Sequence, residues 1–98
     1  MAGEIEARLQ ELEITLPDAP APAANYVPYV QTGNQVFVSG QVPWAGGERN
    51  FVSKVGAEFS IEEGQAAARV VVLNIIAQLK AACGGDLDRV VRCVKLGG

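Results

Sequence analysis

The chain has 98 residues, with 8 basic and 11 acidic side chains, no histidine and two cysteines, enough for one small domain with a marginal core. Without histidine there is no Ser-His-Asp or Cys-His machinery, no His-ligated zinc and no near-neutral imidazole base. The net charge of −3, with basic residues scattered singly, disfavours nucleic acid as a partner, because polynucleotide binding leans on clustered Lys and Arg that displace phosphate counterions.

The first residues, Met1-Ala2-Gly3-Glu4-Ile5-Glu6, are acidic and break up their apolar residues early, unlike a signal peptide or a basic presequence. The longest apolar run, residues 70–73, is far too short for a membrane span. Cys83 and Cys93 have no disulfide framework around them and read as inert reduced thiols of a cytoplasmic protein.

Ile5, Leu9 and Leu12 recur at i, i+4 and i+7 and predict an amphipathic helix over residues 4–13. The proline-rich stretch Leu16-Pro17-Asp18-Ala19-Pro20-Ala21-Pro22 cannot sustain a hydrogen-bond ladder and reads as a tether. Residues 26–30 and 35–42 are strand candidates, and Thr32-Gly33-Asn34 between them is a hairpin signal. Pro28 places the first of these strands at an edge or at a bulge. Residues 43–47 read as a loop in which Trp44 covers the edge of the core, and residues 51–55 as a returning strand.

The best-signalled element is a helix over residues 61–83. Ser60 and Glu63 have capping-box spacing, and Gly84-Gly85 supplies the stop. Glu62 and Glu63, in its first turn, favour the helix dipole and read as capping residues. At 100° per residue, Ala68, Val71, Val72, Ile75, Leu79 and Ala82 form one apolar stripe, and Ala66, Val70, Leu73, Ala77 and Ala81 a second. Arg69 and Lys80 separate the stripes on one side, Asn74 and Gln78 on the other. Two stripes imply contact with a sheet and with a further packed layer. After the glycines, residues 89–96 are rich in β-formers and read as a central strand. That strand has nothing to cover it before the sequence closes on Gly97-Gly98, which suggests that the sequence is a fragment or that other chains complete the fold.

The middle of the chain resembles a known family. Ala21-Pro22-Ala23-Ala24-Asn25-Tyr26-Val27-Pro28-Tyr29-Val30, Gly33-Asn34 and Val36-Phe37-Val38-Ser39-Gly40-Gln41-Val42-Pro43 are similar to the opening of the YjgF/Rid family, also labelled endoribonuclease L-PSP. The later Gly85-Asp86-Leu87-Asp88-Arg89-Val90-Val91-Arg92-Cys93-Val94 resembles its G-D/L-x-D-V-V-K strand. On this reading residues 1–15 are an amphipathic helical extension, and residues 16–98 are the amino-terminal part of the family domain.

The resemblance implies a chorismate-mutase-like α+β fold, a mixed sheet backed by helices, and a homotrimer with ligand clefts between subunits. Best-studied members hydrolyse reactive enamines and imines, such as 2-aminoacrylate or 2-iminopropanoate, to 2-keto acids and ammonia, and others are linked to RNA cleavage. Such hydrolysis needs a cation for the substrate carboxylate, a positioned water and a proton donor for the nitrogen, and no metal or cofactor enters this reading. Of the family's site, Tyr29 carries over from the P-Y motif and Ser39 from S-G-Q, both as substrate-binding residues. The family's catalytic arginine and glutamate come from later strands; they have no counterpart in these 98 residues and are expected beyond Gly98. That leaves open a non-catalytic ligand-binding or structural trimer.

Overall fold

A computed structural model describes residues 3–19, 21, 25–45, 48–49, 57 and 60–97. Two helices, α1 (Glu4–Glu11) and α2 (Ile61–Ala82), accompany four short strands, β1 (Tyr29–Thr32), β2 (Gln35–Val38), β3 (Trp44–Ala45) and β4 (Glu48–Arg49). β1 pairs with β2 and β3 with β4, so every ladder among the described residues is antiparallel.

The first hairpin forms where the turn signal places it, with Gly33 at φ +57°, the left-handed region a tight turn uses. Its ladder begins at Tyr29, because Pro28 has no N–H to contribute. The register pairs Tyr29 with Val38 and Val30 with Phe37. Strand alternation therefore sorts the ribbon into two faces. Tyr29, Val36 and Val38 are half-buried on the face that meets α2, whereas Val30 and Phe37 lie 51% and 59% exposed on the other.

α2 is built as its caps dictate. The Ser60 hydroxyl accepts the Glu63 N–H at 3.1 Å, and the Glu63 carboxylate accepts the Ser60 N–H at 3.1 Å, a complete capping box. At the other end the Gly85 N–H bonds the Lys80 carbonyl and the Gly84 N–H the Ala81 carbonyl, with Gly84 at φ +65°, which is a Schellman closure. α1 closes the same way, Ile14 to Leu9 and Glu13 to Gln10, but with Glu13 rather than glycine at φ +56°. That closure ends α1 at Glu11, two residues before the periodicity does.

Three expectations change. The line of α2 that carries Asn74 and Gln78 is not a polar margin: these residues are 3% and 1% exposed, beside Ala77 at 4%, in a helix that meets β1, β2 and β3. Residues 89–96 do not form a strand. The chain makes a single 3-10 turn, Leu87–Arg89, and runs on without a ladder partner among the described residues, leaving Val91, Val94 and Leu96 at 92%, 78% and 70% exposure. Strand-forming composition yields a strand only where another strand lies alongside. Finally, part of the 43–47 loop is the two-residue strand β3. The expected strand at 51–55 lies outside the described residues, and so does Gly98, the position past which the catalytic arginine and glutamate are expected.

α1 buries no residue completely and is held by polar contacts. The Asp88 carboxylate accepts the N–H groups of Gly3, Glu4 and Ile5 at 3.1, 3.0 and 2.9 Å. The Lys80 Nζ lies 3.2 Å from Glu6 Oε1. No helix of the described residues is long and apolar enough to cross a membrane.

Candidate functional site

The two residues singled out as substrate-binding sit at one end of the first hairpin. Tyr29 opens β1 opposite Val38, and Ser39 follows Val38 directly. The Ser39 N–H donates to the Pro28 carbonyl at 2.9 Å, which carries the ribbon one rung past its last strand residue. By alternation the Tyr29 side chain shares the α2-facing side with Val38, and Ser39 falls on the opposite side. The two residues are neighbours along the ribbon but belong to different faces.

Both are half-buried. The Ser39 hydroxyl donates to the Val27 carbonyl in a short hydrogen bond. A serine hydroxyl has one proton and two lone pairs, so with its proton committed Ser39 presents only an acceptor to anything beside it. The next residues are tied down in turn. Gln41 Nε2 donates to the Ser39 carbonyl at 3.0 Å, the Tyr26 hydroxyl reaches the Gly40 carbonyl at 3.5 Å, and Asn74 Nδ2 donates to the Val42 carbonyl at 3.1 Å. The segment Ser39-Gly40-Gln41-Val42 is thus held from the hairpin on one side and from α2 on the other.

Neither Tyr29 nor Ser39 lines the open cleft of about 420 Å³ at the far end of α2, which is walled by Leu16, Pro17, Asp18, Ala77, Lys80 and Gly84 among others. The Asp88 carboxyl is clearly displaced: three backbone N–H groups, that of Ile5 foremost, hold it below the ordinary aspartate value. It works on the fold of α1, away from the hairpin. Cys83 and Cys93 are both free thiols. Sequence reasoning missed Asn74 as a partner of the Ser39 segment. An amide recurring at i and i+4 with Gln78, between two apolar stripes, was the available signal.

The model of the family described as "YjgF/chorismate mutase-like, putative endoribonuclease" matches residues 6–98. The chain belongs to the YjgF family. A curated relative, the TCP17 protein of Trypanosoma cruzi, is 50% identical over 95 residues, covering 97% of this chain and 59% of its own. A crystal structure from Shewanella oneidensis MR-1, titled a "putative endoribonuclease", superposes with a TM-score of 0.81 at 41% identity, covering 89% of this chain and 57% of that one. A protein of unknown function from Agrobacterium tumefaciens gives 0.73 at 46% identity, with 85% and 50% covered. The fold is the YjgF family's chorismate-mutase-like α+β arrangement. The chain spans between half and three fifths of the length of these relatives.

Proposed function

We propose that the protein is a YjgF-family hydrolase of small 2-imino acids, working in the cytoplasm as a homotrimer with its ligand clefts where copies meet. The reaction is R–C(=NH)–COO⁻ plus water to R–CO–COO⁻ plus ammonia. Water oxygen bonds the imine carbon while the nitrogen gains a proton. The carbon–nitrogen bond then breaks, ammonia leaves with the second proton, and the carbonyl forms.

The observation that carries this reading is the fixed polarity of Ser39. Its proton is committed to Val27, so it accepts, and the partners it suits are an iminium N–H or the attacking water rather than a carboxylate oxygen. The apolar pair Val30 and Phe37, exposed on the outer face of the same hairpin, supports association with further copies. Tyr29, on the α2-facing side of the hairpin, would border the cleft at the strand end rather than share a wall with Ser39. The arginine and glutamate that the resemblance calls for, to hold the substrate carboxylate and the water, would come from later strands.

The test is keto-acid release in the presence of an amino-acid oxidase or a dehydratase that generates the imine. Faster release on adding the protein supports the proposal, and an unchanged rate overturns it. A trimer by light scattering that binds a 2-keto acid without turnover would make it a ligand-binding protein instead. The endoribonuclease wording carried by the family and by the Shewanella structure makes RNA the competing substrate. The acidic balance and dispersed basic residues weigh against it, and RNA left intact at low salt would dismiss it.

A further inference from the structure

We infer that Asn74 is a positioning residue for the Ser39 segment, acting through the Val42 carbonyl. The functional half of this inference rests on the imine-hydrolase reading; the structural half does not.

A buried primary amide is expensive unless its polar atoms are paired. Asn74 is 3% exposed in the middle of a long helix, and a second amide, Gln78, one turn further, is 1% exposed. Both have partners. For Asn74 the bond from Nδ2 crosses 32 residues to a carbonyl outside any strand. β2 ends at Val38, and the last backbone bond from the hairpin to this segment is Ser39 to Pro28. Beyond it the chain has left the ladder, and the contacts at Gly40 and Gln41 are a hydroxyl at 3.5 Å and a side chain bonding back to its own segment.

Asn74 therefore ties the downstream end of the segment to a long, well-capped helix. Ser39 is fixed at its own position by Val27 and Pro28, but the path of Gly40 and Gln41, which sets what stands beside its hydroxyl, depends on where Val42 is held. A leucine of similar size would fill the space and leave the Val42 carbonyl unpaired. A carboxylate would repel that carbonyl, whereas a protonated carboxyl group would donate to it as the amide does.

The experiment uses the full chain with N74L and N74D, each scored for folding by circular dichroism. Amide hydrogen exchange is read at Ser39, whose N–H bonds the Pro28 carbonyl in the last rung before the segment, with the middle of α2 as reference. kcat and KM for imine hydrolysis are followed across pH as ratios to wild type. In N74L, exchange at Ser39 rises about tenfold as the last rung frays while α2 is unchanged, and kcat falls at every pH. In N74D both defects appear at neutral pH and recede on acidification, as the buried carboxyl, whose pKa burial raises, takes up its proton. Exchange in N74L equal to wild type, or an N74D profile parallel to that of N74L, overturns the inference. So does collapse of both variants, which would make Asn74 a folding residue. A wild type that hydrolyses no imine defeats the functional reading alone, and the exchange measurements still decide the positioning.

Discussion

The carboxylate of Asp88 accepts the backbone N–H of Ile5 at 2.9 Å, across 83 residues of sequence, while its second oxygen takes those of Gly3 and Glu4. The first N–H groups of a helix have no partner within it, and a cap normally comes from the residue just before. Gly3 occupies that position in α1 and has no side chain with which to cap. The cap is supplied instead by the turn that follows α2, so one carboxylate both completes α1 and docks it.

Asp88→Asn is expected to release α1. The neutral amide keeps one acceptor oxygen in place of two charged ones, and charge-assisted bonds are the stronger kind. Hydrogen exchange at Gly3, Glu4 and Ile5 should accelerate, with the middle of α2 keeping its protection. Equal exchange in both proteins would show that α1 is held by other contacts.

Acid should have the same effect. The folded-state pKa of Asp88 is lowered relative to its ordinary value, so its contribution is fully present above the unfolded pKa, near 4, and is lost as the pH falls through the lower folded value. Exchange at the α1 amides, corrected for intrinsic rates, should stay flat from neutrality to about pH 4 and increase below it. In Asp88→Asn that increase should be absent.

Ser60→Ala removes the hydroxyl that accepts the Glu63 N–H and breaks the capping box. A cost of about 1 kcal/mol is expected, read as a lower denaturant midpoint with an unchanged slope. A loss below a few tenths would mean that water replaces the cap without penalty.

The two Schellman closures make opposite predictions. Gly84 sits at φ +65° with open space where a Cβ would stand, so Gly84→Ala should destabilise by about 0.5–1 kcal/mol, the backbone strain less the unfolded-chain entropy that alanine removes. Glu13 already carries that strain at φ +56°, and places a negative charge at a helix C-terminus where the dipole disfavours it. Glu13→Gly should therefore stabilise α1, by about 0.5–1 kcal/mol after the entropy of glycine is subtracted. Exchange at the α1 amides reports the second variant and a thermal melt the first.

Much of this was readable from residue order. Ser60, Glu63 and the paired glycines delimit α2 because caps are local chemistry, and Thr32-Gly33-Asn34 delimits the hairpin for the same reason. The family was legible in Ser39-Gly40-Gln41-Val42-Pro43, a contiguous motif. What stayed hidden depends on partners far away in sequence. Asn74 and Gln78 count as polar in any periodicity, and a partner as distant in sequence as Val42 is what lets Asn74 sit in the core. Asp88 reads as linker until Gly3, Glu4 and Ile5 arrive beside it. Residues 89–96 have the composition of a strand, but composition does not bring a neighbour alongside.

That last segment bears on how the chain survives its own folding. Val90-Val91-Arg92-Cys93-Val94-Lys95-Leu96 lies open along its length, and an extended apolar run of this kind is the usual seed of intermolecular β-stacking. Arg92 and Lys95 interrupt it so that no more than two apolar residues stand in a row without a charge. Like charges brought into register along a fibril axis repel, and such residues act as gatekeepers. Arg92 and Lys95 thus stand where a charge opposes stacking of this segment between copies of the chain.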